Sequence, residues 1–144
     1  MILLDTNVLS ELMRPAPEPR VVRWVGARPA TALFASTIAE AELLYGVAML
    51  PQGRRRGELA EAIALMFEDD FAGRVLPFDR AAAQSFAAIA AERRRAGRPI
   101  AQFDAQIAAI ARSRGASLAT RNVADFQGCQ IEVIDPWTAP PAGA

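Results

Sequence analysis

Short apolar runs alternate with longer amphipathic stretches along this chain, and the alternation predicts strands and helices in turn. Ile2–Leu4 is an apolar run of strand length, followed at once by Asp5. Residues 7–13 read as a short helix halted before Pro15, and residues 20–27 as a second. Residues 32–35 form a short strand, after which Ser36 or Thr37 is placed to cap a helix reaching about Leu50 and stopping at Pro51. Residues 54–71 are a longer amphipathic helix with Gly73 just past its end. A strand at 74–78 then leads into Asp79, the cap of a helix running to about Ala96 and closed by Gly97. Residues 101–114 are helical with Gly115 just beyond, and 117–120 and 131–134 are the last strands. Strands separated by helices of this length require crossover connections, hence a mostly parallel sheet covered by helices on both faces. Ligands of such sheets bind in the crevice beyond the carboxyl ends of the strands. Asp5 stands at such an end.

Composition narrows the chemistry by what it omits. The 144 residues suit one domain, 52% hydrophobic and 22% charged, and no apolar run approaches the ~20 residues of a membrane span. No basic and apolar leader opens the chain, so the cytoplasm is the expected compartment. There is no His and no Lys; all 16 basic residues are Arg, and Cys129 is the single cysteine. Histidine-based triads, Cys/His zinc sites, an internal disulfide, a P-loop lysine and a Schiff-base lysine are therefore excluded. Cys129, without a His base, reads as a small buried apolar residue. Sixteen acids balance the arginines, which argues against broad charge-driven binding of nucleic acid but leaves room for a local basic groove. Arg54–Arg56 and Arg93–Arg95 with Arg98 are the clustered arginines, and each cluster reads first as a solvated helix face.

Carboxylates are what remains. Asp5 alone is explained as a helix cap. Glu42 shares a helical stripe with Ile38, Tyr45 and Met49, but Glu40 also has apolar neighbours in Leu43, Leu44 and Val47, so periodicity does not choose between them. Asp104 lies in the first turn of its helix, where an acid suits the macrodipole, yet on the stripe of Ile100, Ile107 and Ala111. Asp125 follows a strand end marked by Thr120 and Asn122, a usual place for a turn aspartate. Taken together, acids from distant parts of the chain collect at strand ends and inward helix faces. Such a cluster is stable only if protonated or neutralised by a cation. Its hard oxygen donors select Mg²⁺ or Mn²⁺, ions that activate water and clamp phosphoryl oxygens.

The stretches MILLDTNVLSEL, STIAEAELLYGV, FDAQIAAIA and LATRNVADF, in this order and over residues 1–137, resemble PIN-domain ribonucleases, and above all the VapC-like and FitB-like toxins of type II toxin–antitoxin systems. The resemblance implies a three-layer α/β fold with a five-stranded, mostly parallel sheet between helices: one PIN domain at 1–137 and a loose tail at 138–144. It places the family's acidic quartet on Asp5, Glu42, Asp104 and Asp125, choosing Glu42 through its A-E-L context, and an accompanying polar residue on Thr120, with Asn122 beside it. Thr6 and Asn7 match the opening motif and shape the site. It further implies a Mg²⁺-dependent endoribonuclease, usually a homodimer, silenced by a small VapB-like or FitA-like antitoxin lying across the active-site groove. Contact with DNA would come only through that antitoxin. The alternative is a PIN-like protein that binds RNA or a partner without cutting. A phosphoaspartyl protein is disfavoured by the missing lysine and by Asp5-Thr6-Asn7 in place of D-x-D; a Rossmann enzyme is disfavoured because no G-x-G-x-x-G follows the first strand.

Overall fold

The computed structural model describes residues 1–140, so most of the expected tail lies outside the described residues. Five strands, β1 (Ile2–Leu4), β2 (Leu33–Ser36), β3 (Val75–Leu76), β4 (Ser117–Ala119) and β5 (Val133–Ile134), form one sheet in the order β3-β2-β1-β4-β5. Every neighbouring pair is parallel. The helices are α1 (Thr6–Leu12), α2 (Pro19–Gly26), α3 (Thr37–Ala48), α4 (Arg54–Leu65), α5 (Arg80–Arg95) and α6 (Gln102–Arg114).

Local sequence explains most of these boundaries. Ser36 Oγ accepts from the Ala39 N–H at 3.0 Å and Asp79 Oδ1 from the Ala82 N–H at 3.0 Å, each satisfying a helix-start donor. Pro19 begins α2, where its missing N–H costs nothing. Gly115 ends α6 at φ 65°, a left-handed position that favours glycine. The helix expected over 54–71 is regular only to Leu65; a widened turn, Met66–Asp70, follows and closes with the Phe71 N–H on the Met66 carbonyl at 2.9 Å. The strand expected over 74–78 narrows to two residues because Pro77 has no N–H for the ladder. Both short strands, β3 and β5, are sheet edges, where brevity limits pairing with other chains.

Strand alternation distributes the core over both faces. Leu3 and Leu118 point to one side, where α5 and α6 bring Ile89, Ile107 and Ile110 with Phe126 and the buried Cys129. Leu4 and Ala119 point to the other, against Val8, Leu9, Val21, Trp24 and Ile63 from α1, α2 and α4. Small residues Ala105, Ala108, Ala109 and Ala111 let α6 lie close to its neighbours. The chain leaves β1 toward β2 and β3 and later returns on the far side of β1 as β4. The order therefore reverses between β1 and β4, and a crevice opens beyond their carboxyl ends.

Candidate metal centre

Asp5 leaves β1 directly into this crevice and is held from several sides. Its Oδ1 accepts from the Thr6 N–H at 2.8 Å, and its Oδ2 accepts from the Thr120 hydroxyl at 2.7 Å and from Asn7 Nδ2 at 3.3 Å. Thr120, the residue after β4, is fully buried, and its Oγ1 also accepts from Asn7 Nδ2 and the Asn122 N–H, each at 3.1 Å. The Asn7 side-chain carbonyl accepts from the Arg121 N–H at 3.2 Å. The two strand ends at the reversal point are thus tied through Asp5, Thr120 and Asn7. Thr120 lies beneath the crevice rather than in it, and acts by aiming Asp5.

Glu42, on the first turns of α3, is fixed from 36 residues away: the Thr6 hydroxyl donates to its Oε1 at 2.7 Å. Asp104 enters from the first turn of α6. Asp5, Glu42 and Asp104 line one open cleft of about 300 Å³, with Thr6, Asn7, Ser10, Leu43 and Asn122. Glu40 lies outside that lining. Ser10, an exposed polar residue on α1, carries no sequence signal beyond following Thr6 by one helical turn. Asp125 sits differently. It is exposed in the turn Val123–Phe126, outside the cleft wall, yet near enough to act on the charges of Asp5 and Asp104.

Arg93 departs from the expected solvated face. It is buried; its Nε donates to the Arg98 carbonyl and its Nη1 to the Asp125 carbonyl, both at 2.7 Å, with Cys129 Sγ 3.6 Å away. It is a strut that fixes the turn presenting Asp125, while Arg94 and Arg95 remain exposed. In the first turns of α4, Arg54 and Arg55 are also exposed, and Arg54 pairs with Glu58 at 2.8 Å.

The electrostatics follow from crowding. Burial pushes the Asp5 carboxyl up, opposed by its bonds from Thr120 and Thr6 and reinforced by Glu42 and Asp125. Burial likewise raises Glu42, with the Thr6 bond opposing and Asp104 adding. Asp104 is pushed up to about 6 by burial, then by Asp5 and Asp125, with Arg93 pulling weakly down. Among the described residues, none of these four acids is in a salt bridge. The folded-state value of Asp104 lies above its ordinary 3.8, so its contribution to stability is full below that value and is lost as pH rises through about 6. In thermal melts without metal, Asp104→Asn should consequently gain more stability over wild type at about pH 7 than at about pH 5; an equal gain at both would contradict this charge burden.

Among the described residues, no three acidic or thiol side chains are close enough together to hold a metal ion between them. The donors nonetheless suit a hard divalent ion: carboxylates without a cationic partner in a shared cleft, with raised pKa values that an ion would reverse. Mg²⁺ in particular keeps several waters and takes only one or two carboxylates directly, so a cage is not required.

Comparison with known proteins identifies the family of this fold. The PIN domain family model matches residues 2–127. The chain is similar to VapC ribonuclease Y4jK of Sinorhizobium fredii, 39% identical over 137 residues, covering 95% of this chain and 98% of that protein. It is similar to toxin FitB of Neisseria gonorrhoeae, 40% identical over 137 residues, covering 95% and 99%. Among solved structures, FitAB bound to an IR36 DNA fragment superposes with a TM-score of 0.90 at 38% identity, covering 99% of each chain.

Proposed function

We propose that this chain, which belongs to the PIN-domain family, is a Mg²⁺-dependent endoribonuclease and the toxin of a type II toxin–antitoxin pair. The observation that carries the reading is the convergence of Asp5, Glu42 and Asp104 on one cleft without a cationic partner. The names of the relatives supply the substrate class and the toxin role.

Asp5, Asp104 and Asp125, with Glu42 completing the cluster, would hold Mg²⁺, or Mn²⁺ in its place, directly or through water. When bound, the ion supplies an acidified water and a counter-charge for the phosphoryl oxygens. The chain's own residues do the rest. Thr6 holds one oxygen of Glu42, leaving the other to orient the attacking water and accept its proton. Thr120 and Asn7 keep Asp5 aimed at the cleft. Asn122 and Ser10 offer neutral hydrogen-bonding groups to the RNA backbone from the cleft wall.

The partner surface lies alongside. Leu44 and Tyr45 on α3 and Met49 just past its end are exposed by 48%, 65% and 68%, an apolar face that no other element among the described residues covers. A small antitoxin of the VapB/FitA kind, or the second chain of a homodimer, would bury it, and DNA would be reached only through the antitoxin. No described helix is long and apolar enough to cross a membrane.

Mapping the ends of cleaved RNA tests the mechanism. Attack by water leaves 5′-phosphate and 3′-hydroxyl ends, so the products should be ligatable without kinase treatment. Products ending in 2′,3′-cyclic phosphate would mean that the ribose hydroxyl attacked. RNA left intact in Mg²⁺ and Mn²⁺ would favour the non-cutting alternative.

A further inference from the structure

A second groove, of about 600 Å³ against about 300 Å³ for the acidic cleft, lies between α2 and the segment after β5. Its walls are Arg20, Arg23 and Ala27 on one side and residues 138–140 on the other. Arg20 and Arg23 are exposed, stand one helical turn apart, and among the described residues have no acidic partner. The acids adjacent in the chain are committed to backbone: Glu18 accepts from the Arg20 N–H at 3.4 Å and Asp135 from the Trp137 N–H at 2.8 Å.

The groove is joined to the cleft by a continuous set of contacts. Arg20 Nη1 donates to the Trp137 carbonyl at 3.4 Å. The Arg121 guanidinium sits over the Trp137 ring at 5.1 Å, a cation–π contact that keeps an exposed charge in place. The Arg121 N–H in turn donates to Asn7, which donates to Asp5. From carboxylate to groove the surface therefore changes from negative to positive, with three guanidinia, Arg121, Arg20 and Arg23, spaced along one side. In a chain of zero net charge this is a local concentration of cations.

We propose that single-stranded RNA passes from the acidic cleft over Arg121 and Trp137 into this groove, where Arg20 and Arg23 bind its phosphates. An acidic peptide would also satisfy two arginines, but a strand leaving the cleft carries a phosphate at every nucleotide, which matches guanidinia repeated from Arg121 to Arg20 and Arg23. The inference rests on the nuclease reading, deepening it by assigning the path of the substrate.

The test combines two measurements on the full chain. Binding of a fluorescein-labelled single-stranded RNA of roughly 20 nucleotides, long enough to span cleft and groove, is followed by anisotropy without divalent metal at several salt concentrations. Arg20→Glu/Arg23→Glu should weaken binding by about tenfold or more and flatten the salt slope by about 1.4, the loss of two phosphate contacts on a single strand. Arg20→Gln/Arg23→Gln should flatten the slope equally with a smaller loss of affinity, and unchanged melting temperatures establish that both variants fold. Cleavage of the same RNA by wild type in Mg²⁺ is measured in parallel. Wild-type cleavage with unaltered binding by the variants overturns the path and leaves the nuclease standing. Weakened, salt-flattened binding without wild-type cleavage keeps the path and overturns the nuclease. Variants that bind RNA normally but lose a co-expressed antitoxin mark the groove as a protein site and overturn the proposal.

Discussion

Asp104→Asn should make the metal-free protein more stable and RNA cleavage at least about 10³-fold slower, two effects of opposite sign from one atom exchange. At neutral pH the folded chain keeps an ionised Asp104 in a half-buried position near Asp5 and Asp125, which is why its pKa rises to about 6. Asparagine keeps the shape and removes that charge. The charge is costly only while the cation is missing. Once Mg²⁺ binds, wild type gains stability in proportion to the logarithm of ion concentration over Kd, and the variant, with a ligand lost, gains less. Melting curves in EDTA and in excess Mg²⁺ should therefore cross: the variant higher in the first, wild type higher in the second. Mg²⁺ shifting both proteins equally would separate Asp104 from the ion. Such a gain of stability on loss of activity is expected where like charges are assembled for function.

Thr120→Val should have the largest effect on folding of any single substitution near the cleft. The hydroxyl is fully buried and serves three groups: it donates to Asp5 Oδ2 and accepts from Asn7 Nδ2 and the Asn122 N–H. Valine fills the same volume but leaves those groups without that partner, at a cost of about 3 kcal/mol. For a domain of this size that corresponds to a fall in Tm of about 10 °C. A purely structural role would end there. Because the Thr120 bond holds the Asp5 carboxyl down against burial, its loss should also move the acid limb of the cleavage pH profile upward and weaken the apparent affinity for Mg²⁺. Thr120→Ser retains the hydroxyl and should restore both. Valine and serine variants with identical pH profiles would reduce Thr120 to packing.

The sequence makes the sheet legible because its signals are local. Ser36, Asp79 and Gly115 do at their helix ends what their residue types predict, and alternation of apolar runs with helices implies the parallel sheet. The site is less legible, since it depends on contacts between distant residues. Glu42 and Glu40 lie on a helix that is apolar nearly all round, so composition could not separate them; the family-like A-E-L context chose Glu42, and the Thr6 hydroxyl 36 residues upstream is what physically holds it. Arginines mislead for the same reason. Those adjacent in sequence are a buried strut at Arg93 with exposed neighbours, whereas Arg20 and Arg121, far apart along the chain, meet through Trp137. Asp125 reads equally well as a turn aspartate and as a site residue, and its exposed place at the rim preserves both descriptions.

Calorimetric titration of Mn²⁺ into the metal-free protein tests most directly whether these oxygens gather around an ion. Wild type should take up about one or two ions per chain in a saturable manner, with affinity falling in Asp104→Asn and uptake lost in Asp5→Asn/Asp104→Asn. A wild-type chain that takes up no ion, or a double variant that still binds as wild type does, would contradict the assignment of this cleft as a metal centre.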